Sequence, residues 1–352
     1  MKKIIISDVT LRDGNHAVNH SINLNVVKQY CQFAEKAKLS VIEVGHGNGI
    51  GASSLSIGRS AVPDKKIFKT ARKFLKKTKL SIHSIPGFST IEDLKLAIDE
   101  GVDIFRIGCN STEIDIIEKQ VNFCKKNNVE AWGVLMMFHL ILNNKEYIKK
   151  INYLKTLGLK TVIIMDSAGC LLPSEVKKIF LELKKFKINF GFHAHNNLGN
   201  AIWNTIEAYE GGANILDVSL RGFGAGAGNA QMEIILTILK KKYKKTFNIF
   251  NMSQIYEMSE NFKEILDKNN IQNFNSFSEP MNILSAAHGL FSGFASHVNN
   301  FSKIYHVNKL KAFEAIGSKK LVAGQEDLIM NIIFNLSNKA TLKSKNLSLI
   351  HI

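Results

Sequence analysis

Short runs of apolar, largely β-branched residues recur along roughly the first two-thirds of the chain, separated by stretches whose apolar positions return every three or four residues. The runs predict strands at Ile4–Val9, Val41–Gly45, Leu80–Ile85, Ile104–Ile107, Ala131–Met137, Thr161–Met165, Asn189–His193 and Ile215–Ser219. They are apolar nearly throughout, as expected of parallel strands covered by helices. Between them, Ile91-Glu-Asp-Leu-Lys-Leu-Ala-Ile and Thr112–Lys126 carry apolar residues at helical spacing. Ser89 and Ser174 are expected N-caps, and Ser89 has Glu92 at capping-box spacing. Eight strand–helix units in about 240 residues is the arithmetic of a (β/α)₈ TIM barrel, an α/β fold. A doubly wound sheet, which needs fewer strands, is the second reading. Beyond about residue 250 the strand pattern gives way to helices. The expected division is therefore a catalytic barrel at 1–250 and a helical C-terminal domain at 251–352. With only 4 prolines and no Pro/Ser/Gly-rich linker, the second domain should pack on the first.

In such barrels chemistry sits at the C-terminal ends of the strands. Polar residues collect there: Arg12-Asp13-Gly-Asn-His16, Glu43-Val-Gly-His-Gly, His83-Ser84, Asp166-Ser167 and His193-Ala-His195-Asn-Asn. His193 and His195, two apart on a strand, share a face. Alone they read equally well as ordinary polar residues. Barrel closure brings Asp13 beside them, and Asp, His and His form a mixed oxygen–nitrogen set with open positions. That set suits a divalent ion holding a chelating 2-oxo acid better than a closed zinc site. Asn196 and Asn197 are the nearest groups to fix the imidazole tautomers. Arg12 reads either as the salt-bridge partner of Asp13 or as a donor to an oxyanion such as an enolate. His16 reads as a proton shuttle or as a structural loop residue. Gly14 is expected to loosen the turn. Gly222-Phe-Gly-Ala-Gly-Ala-Gly-Asn lacks the strand–turn–helix context of a dinucleotide loop. Its small residues instead suggest a backbone passing close to the metal site or to a helix.

The net charge of +16 comes mostly from lysines on the outer faces of expected helices, and arginine occurs only at 12, 59, 72, 106 and 221. No arginine–aromatic stripe points to nucleic acid. The Lys240-Lys-Lys-Tyr-Lys-Lys run suits the negative end of a helix dipole. Cys31, Cys109, Cys124 and Cys170 show no CxxC spacing and read as reduced thiols of a cytoplasmic protein. The opening apolar run is short for a signal peptide, and no stretch has transmembrane length, so no membrane partner is expected.

Asp8-Val-Thr-Leu-Arg-Asp-Gly-Asn-His-Ala resembles the opening motif of the pyruvate-releasing 4-hydroxy-2-oxovalerate aldolases. These belong to a metal-dependent barrel superfamily with 3-hydroxy-3-methylglutaryl-CoA lyase and isopropylmalate synthase. Ile42-Glu-Val-Gly-His-Gly-Asn-Gly, Leu135-Met-Met-Phe-His, Asp166-Ser-Ala-Gly, His193-Ala-His-Asn-Asn-Leu, Gly224-Ala-Gly-Ala-Gly-Asn-Ala and Val322-Ala-Gly-Gln-Glu-Asp extend the likeness from about residue 4 to 340. The resemblance implies a class II aldolase of aromatic-hydrocarbon breakdown. Asp13, His193 and His195 would bind the metal, usually Mn²⁺, with Mg²⁺ or Co²⁺ as alternatives. Arg12 would steady the pyruvate enolate, His16 would exchange a proton with the C4 hydroxyl, and Ser167 would seat the pyruvate carboxylate. The C-terminal helices look like the communication domain that contacts an acylating aldehyde dehydrogenase, and they are also a place for homo-oligomer contacts. Two departures stand out. Phe291, in Gly289-Leu-Phe-Ser, replaces the usual tyrosine, and His288, three residues earlier, reads as a substitute donor or as a surface residue. His83-Ser-Ile-Pro-Gly replaces a leucine run beside the aldehyde, which implies a more polar aldehyde than acetaldehyde. The competing readings are a Claisen-type acyl-CoA lyase or synthase, and an idle scaffold for a dehydrogenase.

Overall fold

Eight parallel strands close on themselves in sequence order, β1 through β8 and back to β1. The architecture comes from a computed structural model that describes residues 4–142, 145–247, 249–271 and 280–348. The strands are β1 (Ile5–Leu11), β2 (Val41–Val44), β3 (Lys79–Ser84), β4 (Ile104–Asn110), β5 (Glu130–Met136), β6 (Thr161–Asp166), β7 (Asn189–Ala194) and β8 (Ile215–Val218). This is the expected TIM barrel, with all eight strands where the apolar runs fall. β4 runs past its expected end because Gly108, Cys109 and Asn110 continue the ladder opposite Val134, Leu135 and Met136. A terminal Gly and Asn conceal such an extension in sequence.

The helix starts differ from expectation. Thr90 caps the helix Ile91–Asp99 and forms the capping box with Asp93. Ser89 turns inward instead, to Ser84 Oγ at 2.8 Å and Gln120 Nε2 at 3.0 Å. The helix Pro173–Leu183 begins on Pro173, with Glu175 accepting from Leu172 N at 2.8 Å, so Ser174 lies inside its first turn. Proline's fixed φ suits that first position. The Thr112–Lys126 pattern divides into a 3₁₀ turn, Ile114–Ile117, and a helix, Glu118–Lys126.

Strand alternation sorts the interior. Ile42, Phe105, Leu135, Val162 and Leu216 join the large core between strands and helices. Their neighbours Val41, Ile104, Trp132, Val134, Ile163 and Ile215 form a separate apolar plug, which the two-residue period places inside the barrel. Two residues further along, the inward positions become polar: Ser7, Glu43, Arg106 and Asp217, joined by His83 and His193, all buried. The barrel floor is thus packed with hydrocarbon and its upper half with charge.

Helix Met252–Lys268 sends Ile255, Met258, Phe262 and Leu266 into the barrel's own core. The expected division after residue 250 therefore falls ahead of a helix packed with the barrel. A second core of Leu290, Phe294, Val298, Phe313, Ile316, Ile329 and Ile333 is built by the helices Pro280–Ala287, Phe294–Ile304, Lys309–Gly317 and Glu326–Ser348. This helical unit is tied to the barrel mouth. Ser292 N donates to Ser167 O at 3.0 Å, and Asn197 Nδ2 to Asn282 O at 3.3 Å. Among the described residues no helix is long and apolar enough to cross a membrane. All four cysteines are free thiols. Lys240, Lys241 and Lys242 occupy the last turn of the helix Met232–Lys242, where the dipole favours them.

Candidate active site

β1 ends in a tight turn, with Asp13 N donating to Val9 O at 2.8 Å, and a short helix follows from Gly14. Gly14 is helical, so it does not loosen the turn; a Cβ there would lie 2.1 Å from the Phe223 ring. Close packing is what demands glycine. Asp13, His193 and His195 converge from β1 and the end of β7, all buried, each offering a ligand atom within 4.8 Å of the others. Asp13 Oδ1 accepts from Arg12 NH1 at 2.6 Å, and Oδ2 accepts from Ala225 N at 3.0 Å and Asn229 Nδ2 at 2.8 Å. Burial alone would raise this carboxyl's pKa, but Arg12 and the two imidazoles hold it well below the usual carboxylate range.

His193 Nε2 and His195 Nδ1 are buried without hydrogen-bond partners. Buried polar atoms are rarely left so. His193 Nδ1 lies 3.1 Å from Asp217 Oδ2, so Nδ1 carries the proton and the Nε2 lone pair is free. A carboxylate and two unspent imidazole nitrogens fit a divalent cation. Asp217, not Asn196 or Asn197, sets the His193 tautomer. Asn196 Oδ1 accepts from Ala201 N, and Asn197 reaches Asn282 in the helical unit. Asp217 lies inside an apolar strand, where a carboxylate at an inward position is itself a signal.

Arg12 is the salt-bridge partner of Asp13. Its NH1 grips Asp13, its Nε donates to Glu43 Oε2 at 2.8 Å, and its NH2 is buried and unspent. His16 lies over Gly47, whose Cβ would fall 2.5 Å from the ring. Burial, with help from Arg12 and His46, lowers the His16 pKa to about 4, against the pull of Asp13. Its ring is neutral at ordinary pH. Two further histidines flank it. His20 stacks on His46 at 3.6 Å and meets His16 edge-on at 5.2 Å. His46 Nδ1 accepts from Asn48 N and its Nε2 donates to Gly58 O, both at 3.0 Å, so that ring is held neutral.

His83 points into the same interior, its Nδ1 3.8 Å from Glu43 Oε1. Burial, Arg12 and Arg106 push its pKa well below the usual histidine value. Ser167 Oγ accepts from Met137 N at 2.9 Å, which leaves the hydroxyl proton to be donated. Half-buried Phe291 lines a cavity of about 590 Å³ together with His16, His20, Asn48, Asn282 and His297. His288 packs against Gly317 in the helical unit and is not part of that lining. The glycine-rich loop does what close approach requires: a Cβ at Gly224 would lie 2.2 Å from Asn229 Nδ2 and 2.7 Å from Asp13 Oδ2. A second group, His139, Asp166 and Cys170, also brings ligand atoms together, but Asp166 is engaged by the backbone N–H groups of Cys170 and Leu171, both at 3.1 Å.

Residues 3–261 match the HMGL-like family, and residues 277–338 match the DmpG-like communication domain. The chain is 39% identical over 344 residues to the 4-hydroxy-2-oxovalerate aldolase of Pectobacterium atrosepticum, covering 96% of this chain and 97% of that one. It is 41% identical over 340 residues to the enzyme of that name from Spirochaeta aurantia, with the same coverage of 96% and 97%. The chain belongs to the 4-hydroxy-2-oxovalerate aldolase family. Among solved structures, the N-terminal domain of a putative aldolase from Bacteroides vulgatus superposes with a TM-score of 0.70 at 23% identity, over 86% of this chain and 98% of that one. The carboxyl transferase domain of Rhizobium etli pyruvate carboxylase gives 0.80 at 14%, over 96% and 61%. At those identities the likeness concerns the fold. Within the aldolase family, Glu43, Arg106, Asp217 and Asn229 now stand beside the residues legible in sequence, because each touches one of them or its immediate partner.

Proposed function

We propose that the protein is a class II pyruvate aldolase that cleaves and forms 4-hydroxy-2-oxo acids, giving pyruvate and an aldehyde. One observation carries this reading: Asp13 meets two unspent imidazole nitrogens beside the unspent NH2 of Arg12. A divalent ion held by Asp13, His193 and His195, Mn²⁺ with Mg²⁺ or Co²⁺ as alternatives, would supply Lewis acidity toward the carboxylate and C2 oxygen of the 2-oxo acid. Arg12 NH2 donates to the C2 oxygen, where negative charge grows as the C3–C4 bond breaks. Neutral His16 accepts the C4 hydroxyl proton in cleavage and returns it in synthesis. The Ser167 hydroxyl donates to the pyruvate carboxylate.

The polar lining of the cavity beside His16, with Asn48, Asn282 and His297, supports a more polar aldehyde than acetaldehyde. Buried His83 supports the same reading from the barrel side. The match of residues 277–338 to a communication domain supports an acylating aldehyde dehydrogenase as partner. The test is incubation with pyruvate, Mn²⁺ and a panel of aliphatic and hydroxylated aldehydes, with products read by mass. Pyruvate release from 4-hydroxy-2-oxovalerate is the companion assay. Preference for short aliphatic aldehydes sinks the polar-aldehyde reading. Thiol release from an acyl-CoA, without aldol product, replaces the aldolase by a Claisen-type enzyme.

A further inference from the structure

Arg106 lies midway along β4, fully buried on the inside of the barrel, in register with His83. A guanidinium taken out of water persists only if its charge and donors are matched. Three groups match it. NH1 donates to Ser7 Oγ at 2.8 Å, NH2 donates to Asp217 Oδ2, and Nε lies 3.3 Å from Glu43 Oε1, near enough for an ion pair although off the line of a hydrogen bond. Each of the two carboxylates has a second task. Glu43 Oε2 holds Arg12 Nε at 2.8 Å, and Asp217 Oδ2 faces His193 Nδ1 at 3.1 Å. Arg12 in turn holds Asp13, and Asp13 and His193 belong to the same donor set.

The contacts therefore close into a ring: Asp13, Arg12, Glu43, Arg106, Asp217, His193 and back to Asp13. Acids and bases alternate around it: Glu43 and Asp217 are each shared between two positive or proton-donating neighbours, while Asp13 and His193 close it as members of one donor set. Arg106 itself touches neither Arg12 nor the donor set, because its two carboxylates stand between. We infer that Arg106 is a positioning residue that sets both arms of the site at once, orienting Arg12 through Glu43 and His193 through Asp217. The inference rests on the reading of Asp13, His193 and His195 as a cation site. A lysine would keep the charge but not the planar fork that reaches Ser7, Asp217 and Glu43 in three directions. It would hold one carboxylate and release the other.

The experiment compares wild type with Arg106→Lys, Asp217→Asn, the double variant and Ser7→Ala, each checked for folding by circular dichroism. Mn²⁺ affinity is read by calorimetry on metal-free protein. Affinity for oxalate, a planar dianion shaped like the pyruvate enolate, is read on Mn²⁺-saturated protein. Arg106→Lys should weaken Mn²⁺ binding roughly 10- to 100-fold, the usual effect of losing the group behind a ligating histidine. It should weaken oxalate binding as well, because Arg12 loses its orientation. The double variant should bind Mn²⁺ no worse than the weaker single variant, because both changes cut one path. Ser7→Ala frees one arm of the guanidinium and should cost Mn²⁺ affinity roughly threefold, so the inference stays testable even if Arg106→Lys fails to fold. A folded Arg106→Lys with a lower melting temperature and unchanged affinities would make the arginine merely structural and overturn the inference. Multiplying effects in the double variant, or an unaffected Ser7→Ala, would also overturn it. If wild type itself binds no Mn²⁺, the cation reading under the proposed function falls first, which is a different result from equal binding by wild type and Arg106→Lys.

Discussion

A single methyl group, placed where it touches no substrate, should disable the site. Gly224 has ordinary backbone angles, so alanine there meets no conformational barrier. Its Cβ would instead lie 2.2 Å from Asn229 Nδ2, 2.6 Å from Asn229 Cγ and 2.7 Å from Asp13 Oδ2. None of these distances is tolerable, and both side chains are short and buried, so neither can swing clear as a lysine could. The relief available is rotation of the Asn229 amide, which breaks its 2.8 Å bond to Asp13 Oδ2. A hydrogen bond to a charged group contributes about 1.5–3 kcal/mol. Asp13 oriented by one donor fewer should then bind its cation roughly 10- to 100-fold more weakly, at about 1.4 kcal/mol per factor of ten. Calorimetric titration of metal-free Gly224→Ala with Mn²⁺ reads this directly. Asn229→Ala deletes the same bond without a clash and should show a similar loss, and the double variant should be little worse than either. Wild-type Mn²⁺ affinity in Gly224→Ala would refute the reasoning, since it would mean the loop yields without disturbing Asp13.

Four further outcomes follow from the same geometry. His16→Ala should lower pyruvate release by roughly 10²- to 10⁴-fold, the usual worth of a general base, while Mn²⁺ content by elemental analysis stays at the wild-type level. Because burial lowers the His16 pKa to about 4, wild-type kcat/KM should stay level from about pH 8 down to about pH 5; a fall centred near 6.5 would mean that His16 is not the base. Asp13→Ala should lose the metal and all turnover yet remain folded, because Arg12 keeps its 2.8 Å bond to Glu43, and stoichiometric metal in that variant would remove Asp13 from the ligand set. His20, whose pKa burial lowers to about 3, stays neutral in the fold while the unfolded chain takes up a proton below about pH 6.5, so its stabilisation is present above that pH and is lost as pH falls. His20→Asn should flatten the dependence of urea-unfolding free energy on pH between about 6 and about 4 by about 1.4 kcal/mol per unit, and an unchanged slope counts against a buried neutral ring.

What the sequence disclosed and what it concealed divide along the pleat of the barrel. The strands were legible because covered parallel strands are apolar on the helix-facing side and, lower down, on the inner side too, as Ile42 and Val41 show. Arg12, Asp13, His16, His193 and His195 were legible because they stand at strand ends, where a polar residue interrupts the pattern. Glu43 shows in sequence only as one more polar residue near a strand end, and Arg106 and Asp217 sit inside strands, each looking like one charged residue in an apolar run. The two-residue period tells which face of its strand each one takes, but only the closed barrel shows that the three meet across its axis. The stacking of His20 on His46 was concealed for a related reason, as two loops must fold together before the rings can meet at 3.6 Å. Ser89 and Ser174 failed as caps because a better competitor stood one residue away in each case: Thr90 with its capping box, and Pro173 with its fixed φ. The buried charges are consequently the most informative residues in the chain. A barrel that needed only to be stable could fill those inward positions with valine or leucine, so their presence points to a site that must hold several ligand atoms at fixed angles, and it does so with a ring of paired charges no single segment of sequence contains.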